Sequence, residues 1–231
     1  MELSLWEIVV AVLTGFSSGM FGIGGSVIAT PLLLLAGITP LFALTTPVAV
    51  AFFSSMSGST FYVKKKMVHF QLAVYTLLTA IPFSLLGKYL IGESNIKILI
   101  VIKALFLLVL GFKFFIKDKD SPEKISGGKN NRLYKILAVG SLGGFLSGIL
   151  AIGGGIVFVT AFAKVLQYDL KDSIATSLFC VGAISLINTL NHIITSTLDL
   201  RLAAVLVIFA IPFSFFVAKT AVKLKNRTLE L

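Results

Sequence analysis

Charge is scarce in this chain. Asp, Glu, Lys and Arg make up 13% of its 231 residues, where a soluble domain is nearer a quarter. From Ile8 to Val63 there is no Asp, Glu, Lys, Arg or His. Further runs without acid or base span Phe70–Gly87, Ile136–Ala163 and Leu202–Ala218, and Ser173–Leu198 is interrupted only by His192. A water-soluble element needs a polar face, so these stretches exclude a soluble domain. Several reach the ~20 apolar residues that a helix needs to cross a bilayer.

Other shortages narrow the chemistry. Cys180 is alone, which excludes an intrachain disulfide. His69 and His192 are far apart, and no His/Cys/carboxylate cluster has metal-ligand spacing. Asp and Glu are confined to loops and termini, so an intramembrane acid–base set is missing and no enzyme is expected. No cofactor is implied. The N-terminus has no basic residue before its apolar run, so it reads as a first membrane segment rather than a cleaved signal peptide. The net charge of +10 comes from basic residues in short loops. That is the bias of cytoplasmic loops in membrane proteins, and no nucleic-acid partner is expected.

What the chain does have is an internal repeat. Gly15-Phe-Ser-Ser18-Gly19-Met-Phe-Gly22-Ile23-Gly24-Gly25-Ser26 returns in the second half as Gly144-Phe-Leu-Ser147-Gly148-Ile-Leu-Ala151-Ile152-Gly153-Gly154-Gly155. Ala80-Ile-Pro82-Phe-Ser84 returns letter for letter, at nearly the same offset, as Ala210-Ile-Pro212-Phe-Ser214. Between them, Thr45-Thr46-Pro47 faces Ala175-Thr176-Ser177. Ordered matches at a nearly constant offset mean two copies of one unit. In transporters such copies usually frame a site between them.

The expected fold is therefore an all-α polytopic membrane protein of two inverted repeats with about 7–9 membrane segments. Segments are expected near 4–21, 25–37, 42–63 and 70–90, with an extra one near 96–116. The second copy gives segments near 134–151, 155–168, 173–197 and 201–222. Residues 1–116 then hold the first repeat plus the extra helix, 117–132 a cytoplasmic linker, and 133–231 the second repeat. The segments near 25–37 and 155–168 are too short to span fully, which marks them as broken or re-entrant helices. The richest Lys/Arg loops are 64–66, the linker and the C-terminal tail. Placing all three in the cytoplasm puts the N-terminus outside and the C-terminus inside a cell membrane.

Gly24-Gly25-Ser26 and Gly153-Gly154-Gly155 each precede a short apolar helix. Glycine lets a backbone approach a ligand, and a helix start favours an anion. Both are taken as substrate-binding, with helix packing through Gly15-xxx-Gly19 and Gly144-xxx-Gly148 as the alternative. Neither is a phosphate loop or a dinucleotide fingerprint. Thr46 and Thr176 match between copies and are candidates for the same site, as are Ser177, Ser57 and Asn188. For most polar residues of these segments, interhelical hydrogen bonding is the competing reading. Lys103 lies inside the extra segment and reads as a lysine reaching back to the interface, so Lys103→Met is expected to leave anion affinity within about threefold.

The paired glycine motifs, the threonines opening two segments and the repeated Ala-Ile-Pro-Phe-Ser resemble the TauE/SafE family of sulfite-exporter-like membrane proteins, over about residues 5–222. Ser26 in place of a third glycine, Thr160 opposite Pro31, and Val217-Ala218 opposite Gly87 depart from the pattern. The resemblance implies a transporter, an exporter of sulfite, an organosulfonate or a related sulfur anion. The expected partners are a small anion and the lipid bilayer, with a homodimer left open. A non-transporting membrane interaction or assembly protein is the alternative.

Overall fold

The computed structural model describes residues 5–91, 96–115, 129–151 and 153–223, and every element among them is helical. They run α1 (Leu5–Phe21), α2 (Ser26–Leu35), α3 (Pro40–Lys64), α4 (Phe70–Ile91), α5 (Ile96–Phe115), α6 (Lys129–Leu150), α7 (Gly155–Thr160), α8 (Leu170–Ile194) and α9 (Leu200–Lys223). The anticipated segments correspond to these helices in order. α6 starts at Lys129, inside the stretch read as linker, and residues 116–128 lie outside the described ones.

Five of these helices are long and apolar enough to cross a membrane: α3, α4, α6, α8 and α9. Polarity is arranged for lipid. Large apolar side chains such as Leu78, Val101, Leu142, Ile208 and Phe216 are more than 60% exposed, while many Ser and Thr side chains are buried among apolar ones. Apolar side chains on the outside and hydroxyls within suit a bundle whose outer surface meets hydrocarbon.

The backbone carries the repeat as clearly as the letters do. Ten described residues have positive φ, and they form five matched pairs: Gly22 with Ala151, Gly24 with Gly153, Gly25 with Gly154, Gly37 with Gln167, and Lys66 with Ser196. Every pair keeps the offset of the sequence repeat to within a single position. The helix starts agree too, since Thr39 before α3 and Asp169 before α8 have nearly the same φ and ψ. The irregularities also fall together. Pro31 interrupts α2, and a π-helical turn (Ala161–Val165) follows α7 directly after the matching residue Thr160.

Packing exchanges the halves. α1 of the first copy lies along α9 of the second, and α6 of the second along α4 of the first. The two duplicated motifs are what meet. A Cβ on Gly15 would strike the Ala210 carbonyl and one on Gly19 the Ser214 carbonyl; on Gly144 and Gly148 the obstacles are Ala80 and Ser84. The Gly-xxx-Gly faces are therefore close-approach surfaces for the Ala-Ile-Pro-Phe-Ser faces. The order of contacts makes α1 parallel to α9 and α6 parallel to α4.

α3 and α8 form the centre, side by side and antiparallel. Thr45 near the start of α3 donates to the Thr197 carbonyl just past α8 (2.6 Å). At the other end Tyr62 of α3 shares an apolar cluster with Ile174 and Ala175 of α8. The bundle thus has one end where α3 begins and α4 and α8 finish, and an opposite end where α3 and α9 finish and α8 begins.

Candidate functional site

The chain turns back twice inside the bundle. α1 and α2 make a hairpin closed at its open side by Trp6, whose indole N–H donates to the Leu32 carbonyl (2.9 Å). α2 has ten residues and α7 six before its π-helical turn, lengths of about 15 and 9 Å. The two loops at the hairpin tips, 22–25 and 153–155, meet. Gly155 packs on the backbone of Gly22 and Ile23, with no room for a side chain between them. Ser177 clasps the junction, its hydroxyl lying 3.0 Å from the Gly22 carbonyl and 3.1 Å from the Gly155 carbonyl.

Two hydroxyls face this junction from α3 and α8. Ser55 is the near neighbour of Gly24, and Ser185 of Gly153. The serines are repeat mates, both are 0% exposed, and neither has a hydrogen-bond partner. Val181 stands between the two loops: a Cβ on Gly24 would come within 2.5 Å of its Cγ1 and one on Gly153 within 2.9 Å. A buried hydroxyl without a partner costs about 1–3 kcal/mol. Two at matched positions beside glycines in left-handed conformation leave donors free for a ligand with acceptor oxygens. As the structure stands, Val181 fills the space, so a ligand enters only if the loops part.

The anticipated residues divide into three groups. Gly24 and Gly153 face the central junction. Gly25 and Gly154 face away from it, against the carbonyls of Thr14 on α1 and Gly143 on α6, where a side chain has no room. Ser26 and Gly155 open α2 and α7; the Ser26 hydroxyl is fully buried without a partner. The Thr46 hydroxyl is likewise buried and unpartnered, whereas its mate Thr176 accepts the His69 backbone N–H (3.1 Å). Ser57 donates to the Ile211 carbonyl across α3 and α9 (3.1 Å), and Asn188 pairs with Ser84 across α8 and α4 (3.0 Å). Those two side chains are engaged in helix packing.

Lys103 is where the structure overturns the sequence. It does not reach the interface: it is 2% exposed, and its Nζ donates to Thr30 Oγ1 at 2.7 Å. Thr30 in turn donates to the Ser26 carbonyl (3.1 Å), in the first turn of α2. The sequence reading takes Lys103 to the interface, but its side chain runs inward to Thr30 of α2. The extra helix thereby delivers an amine donor to the broken helix of the first copy. The sequence reading also passed over Ser55 and Ser185, although they match between the copies by the same signal that singled out Thr46 and Thr176. The weight on helix starts shifts as well. α7 is too short for an aligned dipole to count, so hydroxyls, backbone N–H groups and Lys103 supply the polarity.

A model of the family described as "Sulfite exporter TauE/SafE" matches residues 8–231. The "Probable membrane transporter protein YunE" of Bacillus subtilis (strain 168) is 24% identical over 223 residues, covering 87% of this chain and 82% of that protein. A "Probable membrane transporter protein" of Methanocaldococcus jannaschii is 25% identical over 197 residues, 82% of this chain and 72% of the relative. One from Xylella fastidiosa (strain 9a5c) is 30% identical over 183 residues, 78% of this chain and 70% of the relative. No solved structure matches. With the family match spanning nearly the whole chain, this protein belongs to the sulfite exporter TauE/SafE family of membrane transporters.

Proposed function

We propose that this chain moves a small anion, sulfite or an organosulfonate, across the cell membrane as an exporter, holding it at the junction of the two glycine loops. The observation that carries this reading is the matched pair of unpartnered hydroxyls, Ser55 and Ser185, beside Gly24 and Gly153. A compact oxyanion accepts from both hydroxyls and from the loop N–H groups. Lys103 and the start of α2 add favourable potential on one side.

Transport follows from rocking of two inverted halves about that site. Antiparallel α3 and α8 support the inversion, and the Lys/Arg loops support a cytoplasmic C-terminus and an outer N-terminus. The exchanged pairs α1–α9 and α6–α4 are units that move as bodies, because their glycine faces leave no play. Binding parts the loops, moves Val181 aside and brings the hydroxyls onto the anion.

The experiment is a thermal-stability screen of purified protein with sulfite, thiosulfate, sulfoacetate, taurine and simple carboxylates. A ligand of the folded state raises stability by mass action. The reading expects a saturable rise with a sulfur oxyanion, lost in the Ser55→Ala/Ser185→Ala variant. A rise with carboxylates alone, or one that the double variant retains in full, contradicts it.

A further inference from the structure

The packing sorts the helices into two groups that the repeat exchanges. α1, α2, α3 and α9 lie together, and so do α6, α7, α8 and α4. The groups meet chiefly where α3 runs along α8. Towards the end where α3 finishes, that seam is shut. Tyr62 on α3 and Ala218 on α9 bury against Ile174, Ala175 and Leu178 on α8, and none of the five is more than 3% exposed. Lys171 straps the two groups there, its Nζ donating to the Val222 carbonyl of α9 (2.9 Å). Towards the other end the seam stands open. Leu44, Thr45 and His192, the repeat mates of Ile174, Ala175 and Tyr62, line a cavity of about 630 Å³.

Two differences between the copies set the ends apart. Gly22, just past α1, lies so close to Ile174 that a Cβ would come within 2.7 Å of its carbonyl oxygen. Its mate Ala151 carries that Cβ, and it lines the cavity together with Leu44. Gly58 on α3 seats the Leu178 side chain, where a Cβ would stand 2.9 Å from Leu178 Cδ2. The position matching Gly58 holds Asn188, already paired with Ser84, and Leu178 is matched by the shorter Val48. Membrane helices approach most closely over small residues. Both glycine seats lie at the shut end, and neither has a counterpart at the open one. Leu178 follows Ser177 directly, so the shut seam begins where the junction of the glycine loops ends.

We infer that Leu178 seated on Gly58, with Ile174 seated on Gly22, is a gate. The protein rests with the end bearing the Lys64–Lys66 loop shut and the opposite mouth open, and an anion passes the shut end only when both seats empty. The identity of the passenger rests on the transporter reading. The gate and the resting state come from the unequal ends themselves.

Thiol labelling of the purified full chain in lipid nanodiscs tests this, because the reagent then reaches both ends. In a Cys180→Ser background, Ala175→Cys reports the shut end and its mate Thr45→Cys the open mouth. A small methanethiosulfonate is expected to label Thr45→Cys about tenfold faster than Ala175→Cys, as a resting state favoured by that factor requires. Leu178→Ala empties one seat, and Gly58→Ala fills it while keeping the leucine. Each should speed labelling of Ala175→Cys about tenfold and slow that of Thr45→Cys, because a shift between two states moves the ends in opposite directions. The two variants reach the same seat by different routes, so either one that keeps a cooperative melt decides the matter. Faster labelling at both ends means loosened packing and overturns the gate. Equal rates at the two ends of the parent protein, or rates at Ala175→Cys that the folded variant leaves unchanged, also overturn it. Reciprocal labelling in a chain that carries no sulfur anion into proteoliposomes contradicts the transporter reading and leaves the gate standing.

Discussion

Ser55 on α3 and Ser185 on α8 hold the same place in the two copies and meet the same two-loop junction, each beside the left-handed glycine of a different hairpin. Both are fully buried, and both hydroxyls lack a partner. A hydroxyl kept for packing would be worth more as a methyl, since alanine removes the unmet donor. Ser55→Ala and Ser185→Ala are therefore expected to leave the melting temperature unchanged or slightly raised. Anion transport should fall about tenfold for each, the cost of one hydrogen bond to a charged ligand. Parallel melting and flux measurements read both. Lower stability with normal flux would assign the serines to packing.

Ser177 has the opposite signature. Its hydroxyl serves two loop carbonyls, Gly22 and Gly155. Ser177→Ala removes the one O–H that the two carbonyls share in a buried place, and about 1–3 kcal/mol of stability should be lost. Denaturant or thermal unfolding in detergent reads this. Stability equal to the parent protein would mean that the clasp does not hold the loops together.

Lys103 and Thr30 make a pair whose halves behave differently when removed. Thr30→Val strips the buried Lys103 amine of its only hydrogen-bond partner among the described residues, so it should destabilise by about 1–3 kcal/mol. Lys103→Met replaces the buried amine with an apolar chain and should cost little stability. Its cost should appear in transport, at about tenfold. Normal flux in Lys103→Met would remove the lysine from the anion's surroundings.

Sidedness is testable with single cysteines. Cys180 is wholly buried, and Cys180→Ser gives a clean background. Ser196 lies in the loop after α8, and Lys66 in the loop after α3. In intact cells an impermeant thiol reagent is expected to label Ser196→Cys and to spare Lys66→Cys. The reverse pattern would turn the molecule over in the membrane.

Much of this architecture was legible because the copies keep their exceptional residues. The glycines at 22, 24, 25 and 153–154 fix backbone that few other residues adopt, and Pro82 and Pro212 anchor the duplicated faces. Helix boundaries followed from charge-free runs. Lys103 could not be read that way, because its burial is decided by how α5 sits in the bundle, and no periodicity in one apolar helix reveals its neighbour. Ser57 and Asn188 have helix partners that the sequence does not reveal, because a hydroxyl or amide in a membrane helix looks the same in sequence whether its partner is a ligand or the next helix. Gly25 and Gly154 looked equivalent to Gly24 and Gly153, yet one residue of rotation turns them from the junction to the flanking helix.

The most direct test is anion flux into proteoliposomes holding the purified chain, with sulfite and taurine as substrates and inorganic triphosphate as a bulky polyanionic control. The account predicts saturable flux of a sulfur oxyanion, little flux of triphosphate because its several charges are costly to desolvate here, and loss of flux in Ser55→Ala/Ser185→Ala with melting temperature intact. Undiminished flux in that folded double variant would contradict a site at the junction of the two glycine loops.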